Sequence, residues 1–434
     1  MKKTSFFMLT VVFVALALVG CGGDSGVSGD NEEKTLKYWS MWNTGEPQQE
    51  VIQGIIEDYE EENPNITIEV EWMGREVLSD VRNAIQSDSA PDITDQSGAE
   101  VSGTLIKSDM AEPMENIRDK EIPNEDTPLP EIYEDDVLDF YEEDGTIYYV
   151  PYEIITSGFH YNETLFEEKG IEPPTTWDEF IEVGETFKEE GMAPLAQDGN
   201  IDFYNAYYFY WFVERMLGNG ALLEAAQDES GESWSTQPEF LEAAEKVQEL
   251  ADSDFFEEGY EGSQYPAAQT AWAKGDSAMI LNGSWISSET NEYSSDDFIY
   301  RSFSFPELEE YDASEGEAEL YLEGWVAPKG SDVEAVEDFI AFALQQEYQE
   351  GIADTGNLSP RHDVEPMDEL VDFQEMIESA DTYHPEYDGL QAETPEWWKS
   401  VFTPLDDKLV FGEITAKEFI EQLEKQSKEF YENQ

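Results

Sequence analysis

The stretch from residue 150 to residue 166 constrains the fold of this chain more than any other. Strand-forming residues run from Ile147 to Ile155, Pro151 interrupts them, and a second apolar segment leads into Tyr161. Proline has no backbone N–H donor, so it fits a sheet edge or a crossing point between sheets better than a central strand. We therefore predict that the chain leaves one lobe here and enters a second. Aromatic side chains at such a crossing are expected to face a cleft between the lobes, a usual place for a ligand.

The charge of the chain argues against whole classes of partner. Its 434 residues include 22 Lys+Arg and 101 Asp+Glu, which gives a formal net charge of -79. Such a surface repels phosphate backbones and anionic membranes, so we expect no nucleic-acid binding. The acid excess is typical of a solvated surface suited to high salt, where screening reduces self-repulsion. Because carboxylates are so abundant, no Asp/Glu pair is by itself a sign of acid–base chemistry.

The N-terminal residues have the pattern of an export signal. Lys2 and Lys3 precede an apolar run, Phe6 to Val19, that is short for a membrane span. The only cysteine of the chain, Cys21, follows this run in a setting that resembles a bacterial lipobox. The competing interpretation is an ordinary signal that happens to end in a free cysteine.

These residues predict an extracytoplasmic, lipid-anchored protein. We expect a signal peptide over residues 1–21, a diacylglycerol on Cys21 and a flexible polar tether over residues 22–34. The lipid would hold the chain on the outer face of the cell membrane without a membrane-spanning helix. A single cysteine leaves no intramolecular disulfide.

The residues after the tether predict a βαβ unit. The stretch from Leu36 to Trp39 favours a strand. Pro47 then opens a helix whose apolar residues keep to one face, and the alternation from Ile66 to Val70 favours a second strand. A strand, helix and strand in this order indicate a parallel sheet. In open sheets of this kind ligands bind beyond the carboxyl ends of the strands.

A series of short segments runs through the whole chain in a definite order. Each segment is common on its own, but the ordered set is specific. The segments are Trp39 to Gly45, Pro91-Asp92-Ile93, Tyr149-Val150-Pro151-Tyr152, Tyr161 to Phe166, Gly170-Ile171, Pro174 to Glu179, Lys274 to Met279, Asn282-Gly283-Ser284-Trp285 and Gly356 to Pro360.

In this order the segments resemble the family 1 extracellular solute-binding proteins of ABC importers, the maltose-binding-like group. The resemblance covers essentially the whole mature chain. It implies an α/β, two-lobe fold of the type II periplasmic-binding-protein kind, with hinged lobes and a central ligand cleft. It also implies ABC permease subunits with a cytoplasmic ATPase as partners, and a sugar or oligosaccharide as the usual cargo.

The crossing and the resemblance together set the predicted domain boundaries. Lobe I takes residues 35–150 plus 306–356, and lobe II takes residues 151–305 plus 357–434. We expect a monomer that needs no cofactor.

Sugars present apolar C–H faces and many hydroxyl groups, so a sugar site needs aromatic platforms and planar polar groups. The strongest aromatic candidate is Trp285, because in similar proteins a Trp after this turn stacks on the ligand. For every aromatic candidate, packing in a core is the competing interpretation. The candidates are Trp42, Tyr208, Trp285, Trp325 and Trp397, with Trp398 as the alternative to the last.

The polar candidates lie at predicted strand ends, at the crossing and in one late loop. For the glutamates among them, a solvated surface acid is the competing interpretation. Arg361 is notable because basic residues are scarce, and it either binds ligand oxygens in a bidentate manner or pairs with an acid near the hinge. The polar candidates are Asn43, Glu46, Asp95, Gln96, Tyr152, Glu153 and Arg361.

The amino-acid composition of the chain also predicts the charge of the ligand. The negative field of the protein opposes anions, and few Lys or Arg residues lie near the predicted cleft. We therefore expect a neutral sugar rather than a sugar phosphate or a sugar carboxylate. A binding protein for a solute other than a sugar remains an alternative.

Two further classes of protein compete with a carrier. The first is a surface-anchored glycosidase, which needs two carboxyl groups at a defined separation. No stretch singles out such a pair, so we predict no catalytic residues. The second is a metal-dependent adhesin, but His160, His362 and His384 lack the spacing of zinc ligands. We predict no metal site, although calcium on the acidic surface stays open.

Overall fold

The computed structural model describes residues 33–433 except residues 126, 134, 135, 312 and 314–316. The predicted signal peptide, Cys21 and residues 22–32 of the predicted tether lie outside these residues. Within the described part, no helix is both long and apolar enough to span a membrane. Helices and strands alternate through the chain, which confirms the predicted α/β class.

The strands form two main sheets and one short antiparallel pair. The strands are β1 (Lys34–Ser40), β2 (Ile66–Trp72), β3 (Ile93–Ser97), β4 (Glu121–Ile122), β5 (Thr127–Pro128), β6 (Tyr149–Ile155), β7 (Ser157–Asn162), β8 (Ala193–Ala196), β9 (Ser277–Gly283), β10 (Tyr300–Phe303), β11 (Glu317–Val326) and β12 (Thr382–Pro385).

The helices cover both sheets, and two short π-helical segments, Ser102–Ile106 and Trp398–Phe402, extend helices in the chain. The α-helices are α1 (Pro47–Glu62), α2 (Val77–Gln86), α3 (Gly98–Val101), α4 (Glu163–Lys169), α5 (Trp177–Glu189), α6 (Asp202–Leu217), α7 (Ala221–Gln227), α8 (Ser233–Thr236), α9 (Pro238–Asp252), α10 (Ala267–Ala273), α11 (Ile286–Thr290), α12 (Val333–Ala343), α13 (Gln346–Ala353), α14 (Val371–Glu378), α15 (Leu390–Glu393), α16 (Pro395–Trp397), α17 (Thr403–Val410) and α18 (Ala416–Glu432). Short 3-10 helices cover Ile117–Asp119, Leu129–Ile132, Tyr260–Gly262, Asp368–Leu370 and Glu386–Gly389.

The first sheet contains the predicted βαβ unit. Its strand order is β12-β11-β3-β1-β2, and β6 also pairs with β11. Strand β1 is parallel to both β2 and β3, with α1 as the connection between β1 and β2. Helix α1 buries Ile52, Ile55 and Ile56 on one face, as its apolar spacing predicts. The loop after β1 and the end of β3 therefore lie at the same edge of the sheet.

The second sheet has the order β10-β7-β9-β8. Strand β7 is antiparallel to both β9 and β10, while β8 and β9 are parallel. Helix α6 packs near this sheet and is buried on every side from Tyr204 to Met216. A helix that is buried on every side belongs in the interior of a large core.

The chain crosses between the sheets at Pro151 and its neighbours. Strand β6 pairs with β11 of the first sheet, β7 pairs with β9 of the second, and only Thr156 separates β6 from β7. A register shift in the β6–β11 ladder lies between Glu323 and Gly324, opposite the proline. The missing N–H of Pro151 is accommodated by this β-bulge. The chain crosses again between β10 and β11.

Two large hydrophobic cores correspond to the two sheets. Leu358, Leu370 and Phe373 pack in the first core, and Leu308 packs in the second. The predicted boundaries instead place residues from 357 onward in lobe II and residues 306–356 in lobe I. The difference has a local cause, since Leu358 makes two backbone hydrogen bonds with Ile154 of β6 and so stays with the first sheet.

Candidate functional site

A pocket of about 620 Å³ lies between the two cores, beside the crossing strands. The first core provides Met41 and Trp42 from the loop after β1. The second core provides Tyr204 from α6, and Trp285 packs against that core just after β9. Six aromatic side chains line the pocket: Trp42, Phe203, Tyr204, Tyr265, Trp285 and Tyr321.

Trp42 is fixed by a chain of buried hydrogen bonds. Its Nε1 donates to the Tyr152 hydroxyl over 2.9 Å, and that hydroxyl donates to Asp95 Oδ2 over 3.1 Å. Asp95 also accepts from the Met41 backbone N–H at 2.9 Å and from the Ser40 hydroxyl at 3.1 Å. Burial raises the pKa of Asp95 to about 6 despite these donors. The network holds the indole ring at the edge of the first sheet, facing the cleft.

Glu46 and Arg75 form a second pair on the same side. Arg75 Nη1 donates to Glu46 Oε2 over 2.8 Å and to the Met41 carbonyl over 2.8 Å. Its guanidinium carbon lies 4.5 Å from the centroid of the Trp42 ring. Asn43 donates to Glu46 from its backbone N–H at 2.9 Å and from its side chain at 3.0 Å. Burial opposes ionisation, but these hydrogen bonds and the charge of Arg75 hold the pKa of Glu46 below its usual value.

Two buried carboxyl groups lie at the floor of the pocket: Glu323 lines it, and Glu153 lies just behind it, in contact with the lining residues Gln48 and Asn357. Glu153 Oε1 accepts from Gln48 Nε2 at 3.1 Å and from Asn357 Nδ2 at 2.8 Å. Burial raises the pKa of Glu153 to about 7. Burial, followed by repulsion from Glu153 and Asp95, raises the pKa of Glu323 well above its usual range. Burial therefore favours the protonated form of both carboxyl groups.

The opposite wall is aromatic and partly open to solvent. The ring of Trp285 crosses Gly283 so closely that a Cβ there would lie 2.1 Å from it. Trp285 is roughly parallel to Tyr204, with 6.4 Å between centroids and 26° between planes. The Tyr265 hydroxyl donates to Glu289 Oε1 over 2.9 Å at the rim. These rings form a platform opposite Trp42.

Eight of the predicted site residues lie at or just behind this pocket. Trp42, Glu46 and Trp285 line it. Gln96 supports it from behind, because its Nε2 donates to the Arg75 carbonyl over 2.6 Å. The remaining residues in contact with the lining are Asn43, Asp95, Tyr152 and Glu153 through the bonds above.

Three predicted aromatic residues instead pack in the cores and do not line the pocket. Tyr208 is buried in the second core, where its ring meets Phe256 edge to face at 5.2 Å. Trp325 is buried in the first core and donates to the Tyr38 hydroxyl over 3.0 Å. Trp397 is also buried, and it stacks on another indole and donates to Ser427 over 3.0 Å. In each case the competing interpretation, core packing, describes the structure.

Arg361 also lies away from the pocket lining. It is 1% exposed and forms ion pairs with Glu125 and Asp363, each with a contact of 2.8 Å. Its Nη1 also donates to the Leu344 carbonyl over 2.6 Å. All of its guanidinium N–H groups donate to protein acceptors, so Arg361 anchors the loop that contains it to the first lobe.

The sequence reasoning missed most of the polar lining. Asn357 lies in one of the segments that carried the resemblance, and Tyr204 lies in a visible aromatic run, so both had a signal. Glu323 had none, since it is one of 101 acids. The lining residues that were not predicted include Gln48, Arg75, Phe203, Tyr204, Tyr265, Glu289, Tyr321, Glu323, Asn357, Glu386 and Gln391.

The described residues contain no group of three or more His, Cys, Asp or Glu side chains placed to hold a metal ion. The pocket is therefore best described by its rings, its carboxyl groups and one guanidinium group.

Comparisons with known proteins identify relatives of this chain. The family model described as bacterial extracellular solute-binding protein matches residues 43–350. The multiple sugar-binding protein of Streptococcus mutans is 25% identical over 281 residues, which are 64% of this chain and 64% of that relative. The chain thus aligns with just under two thirds of the length of this relative.

Solved structures share the fold across the chain. A chitin oligosaccharide binding protein superposes with a TM-score of 0.73 at 21% identity, covering 92% of this chain and 98% of that chain. The apo form of RafE from Streptococcus pneumoniae gives a TM-score of 0.71 at 17% identity, covering 93% and 100%. At these identities the likeness shows a common two-lobe fold.

Proposed function

The chain belongs to the bacterial extracellular solute-binding proteins, and from this premise we propose that it captures a neutral sugar or oligosaccharide and delivers it to an ABC permease. The binding site is the pocket between the two cores. The name of the streptococcal relative, a multiple sugar-binding protein, supports this class of cargo. So does the name of the structural neighbour that binds chitin oligosaccharides.

The observation that carries the proposal is that aromatic rings from both cores line one pocket. Trp42 lies on the first core, while Trp285 and Tyr204 lie on the second. Rings on two sides match the two apolar faces of a pyranose. The volume of about 620 Å³ is that of a pocket for a ligand of one to a few rings.

The charges of the lining favour a neutral ligand. Arg75 is the only Lys or Arg side chain among the described lining residues, and it is already bound to Glu46. The lining also contains Glu289, which accepts a hydrogen bond from the Tyr265 hydroxyl, and Glu386, which accepts one from the Tyr207 hydroxyl. A phosphate or carboxylate would meet the negative field of the whole protein and, among the described lining residues, no Lys or Arg that lacks a carboxylate partner. Hydroxyl groups, in contrast, both donate and accept.

We further propose that the protein binds its ligand without converting it. Glu153 is enclosed, because Gln48 and Asn357 both donate to one of its oxygens. It therefore has little access to a glycosidic bond. The names of the relatives describe binding proteins, which supports a carrier.

The proposed mechanism is closure of two lobes on the sugar. Thr156 separates strands of the two sheets, so a small change of its backbone angles would move one core relative to the other. We also propose that the mature chain is a monomer anchored by a lipid on Cys21. This arrangement would keep the pocket close to the permease.

A thermal-shift screen tests the proposed function. A ligand that binds only the folded state raises the melting temperature Tm. Purified protein in concentrated NaCl is mixed with raffinose, stachyose, chitobiose, xylotriose, maltotriose and, as an anion, glucose 6-phosphate. We expect a shift with at least one neutral sugar and none with the phosphate. Chromatography after long incubation should return the sugar unchanged, and a hydrolysed product would support the glycosidase instead.

A further inference from the structure

The two carboxyl groups on the pocket floor face each other across neighbouring strands. Glu153 of β6 stands opposite Glu323 of β11 in the antiparallel ladder. Directly opposite residues of such a ladder project from the same face of the sheet. Both side chains are almost completely buried, so two charges at this position would repel each other in a medium of low dielectric constant. One proton on the pair removes that repulsion.

The two groups differ in how many partners the protein gives them. Glu153 is bound by Gln48 and Asn357 through its Oε1. Each carboxyl group also has a buried Oε2 without a hydrogen-bond partner among the described residues, but only Glu323, which is 3% exposed, lines the pocket. Burial of an unpaired polar oxygen is costly, and natural proteins rarely leave one without a use. The pocket is the direction from which a partner can come.

We propose that Glu323 is a specificity-determining residue of this pocket, which touches the bound sugar and donates a hydrogen bond from a protonated carboxyl group to a ligand oxygen. This inference rests on the proposed function and deepens it. A sugar that carries a hydroxyl or ring oxygen at this position satisfies the carboxyl group. A sugar that lacks the oxygen there leaves a buried donor unpaired and is rejected.

The groups around Glu323 keep the proton on it. Burial and the neighbouring acids favour the neutral form, and Arg75 opposes them. Since the pKa of Glu153 is about 7, that group ionises first as pH rises, and its charge then further disfavours ionisation of Glu323. The titratable and charged groups that face Glu323 are Glu153, Tyr149 and Tyr152 on β6, Tyr321 on β11, Asp95 on β3, Arg75 before α2, Glu100 on α3 and Tyr141 before β6.

Three variants test the inference. Glu323→Gln keeps the shape and an N–H donor but has no charge at any pH, while Glu323→Ala removes the group. Asp406→Asn is the matched control, because Asp406 is also fully buried, has unpaired oxygens and a raised pKa, and does not line the pocket. The probe is the sugar of the screen above that gives the largest wild-type shift. Calorimetric Kd values are measured from pH 6 to pH 9.5.

We expect Glu323→Gln to keep its affinity within roughly threefold and Glu323→Ala to lose roughly tenfold or more. Wild-type affinity should fall as the Glu323 carboxyl group loses its proton, while the Glu323→Gln variant should show no such fall. Infrared spectra at pH 8 should contain a protonated carboxyl band that is weaker in the Glu323→Gln variant, and the difference between the two spectra should shift when the sugar binds. The Asp406→Asn control should match the wild-type affinity and its pH profile.

Two results would overturn the inference alone. If the wild type binds and Glu323→Ala binds equally well, Glu323 does not touch the ligand. If Glu323→Gln is as weak as Glu323→Ala while both keep the wild-type Tm, the site needs a carboxylate acceptor and not a donor. Absence of wild-type binding to every sugar of the screen would overturn the proposed function, and this inference with it.

Discussion

At the scale of single residues, the surroundings of an aromatic side chain decide whether it packs in a core or lines the pocket. One face of the Trp285 indole ring lies over Gly283 in the same turn, and the other face lines the cleft. Trp325, by comparison, is enclosed on all sides and bonded to Tyr38. The two differ in what surrounds them and not in residue type. Only the half-buried indole has a face free for a sugar ring.

We predict that Trp285→Ala abolishes most sugar binding and leaves the fold intact. Loss of the stacking face should weaken affinity at least tenfold, about 1.4 kcal/mol. Tm without ligand should change little, because the indole is only partly buried. Titration calorimetry measures the first and a thermal melt the second.

Trp39→Ala is the matched control for this variant. Trp39 is also partly buried, and its Nε1 donates to Glu71 on the neighbouring strand, outside the pocket lining. The control should bind sugar like the wild type. Equal affinity of both variants would show that Trp285 has no part in recognition.

Sequence reasoning found the loop residues of the site but misassigned several aromatic residues, for a physical reason. The Trp42 loop follows a strand of a recognisable βαβ unit, and strand ends in open sheets meet at one edge. The register of a sequence segment decides whether a ring points into a core or into a cleft. This applies to the segments that contain Tyr208, Trp325 and Trp397. Large rings are favourable in both places, so residue type does not separate them. Glu323 gave no signal because its role depends on Glu153 across the sheet.

At the scale of secondary-structure elements, a buried polar contact joins helix α6 to strand β12. Glu214 of α6 lies 3.5 Å from His384 Nδ1 on β12, and both side chains are buried. Burial raises the pKa of Glu214 to about 9 and lowers that of His384 to about 4. The contact is therefore between neutral groups around pH 7, and not an ion pair. Neither oxygen of Glu214 has a hydrogen-bond partner among the described residues.

We predict that Glu214→Gln stabilises the protein at pH 8. The pKa of Glu214 is about 9 in the folded state and near 4.5 in the unfolded chain, so the folded state binds more protons and loses stability as pH rises between these values. The loss approaches about 1.4 kcal/mol per pH unit. Glutamine does not titrate, so the gain in the free energy of unfolding should be larger at pH 8 than at pH 5, as urea titrations can measure.

The control for this experiment is Asp202→Asn on the exposed first turn of the same helix. It removes one negative charge without touching the buried contact. An equal gain at pH 8 from both variants would show that general charge repulsion, and not burial of Glu214, is responsible.

Helix contact also controls how closely the two lobes approach. Gly103, beside α3, lies so close to α15 that a Cβ there would be 2.5 Å from the Ala392 carbonyl oxygen. Lys107 and Glu393 form an ion pair at the same contact. The first segment packs with the first core and Leu390 of α15 with the second. A glycine here permits backbone contact between the lobes.

We therefore predict that Gly103→Ala weakens sugar binding from outside the pocket. The added methyl group pushes a backbone oxygen, so the lobes must separate and the closed form becomes less populated. Affinity should fall roughly three- to tenfold, and small-angle scattering of the sugar complex should show a larger radius of gyration. Gly54→Ala in α1 is the control, because nothing lies within 4 Å of a Cβ there. Unchanged affinity in Gly103→Ala would contradict a role for this contact in closure.

At the scale of the whole molecule, charge is the dominant feature. The α/β class and the two-lobe arrangement follow from patterns that are visible in the sequence, namely alternation, capping and the proline at the crossing. The negative sign of the surface potential follows from composition alone, since 101 Asp and Glu residues outnumber 22 Lys and Arg residues. Part of this excess is neutralised by protonation of buried groups, such as Glu153 with a pKa of about 7. The remaining carboxylates repel one another more strongly on the folded surface than in the expanded unfolded chain.

We predict that Tm rises by several degrees or more between 0.1 M and 1 M NaCl. The Debye length falls from about 10 Å to about 3 Å over this range, which removes repulsion between surface carboxylates that are not direct neighbours. Scanning calorimetry at fixed pH measures the change. The effect should be smaller at pH 5, where more of the buried and surface acids are protonated.

The cause of such a rise can be identified by changing the salt. Screening depends on ionic strength alone, so KCl and NaCl should give the same curve, and the gain should flatten once the Debye length is shorter than the spacing of the charges. A gain with one cation only would point to specific binding at the acidic surface. A Tm that stays constant or falls from 0.1 M to 1 M in both salts would show that repulsion among the acidic side chains, despite the net charge of -79, does not lower the stability of the fold.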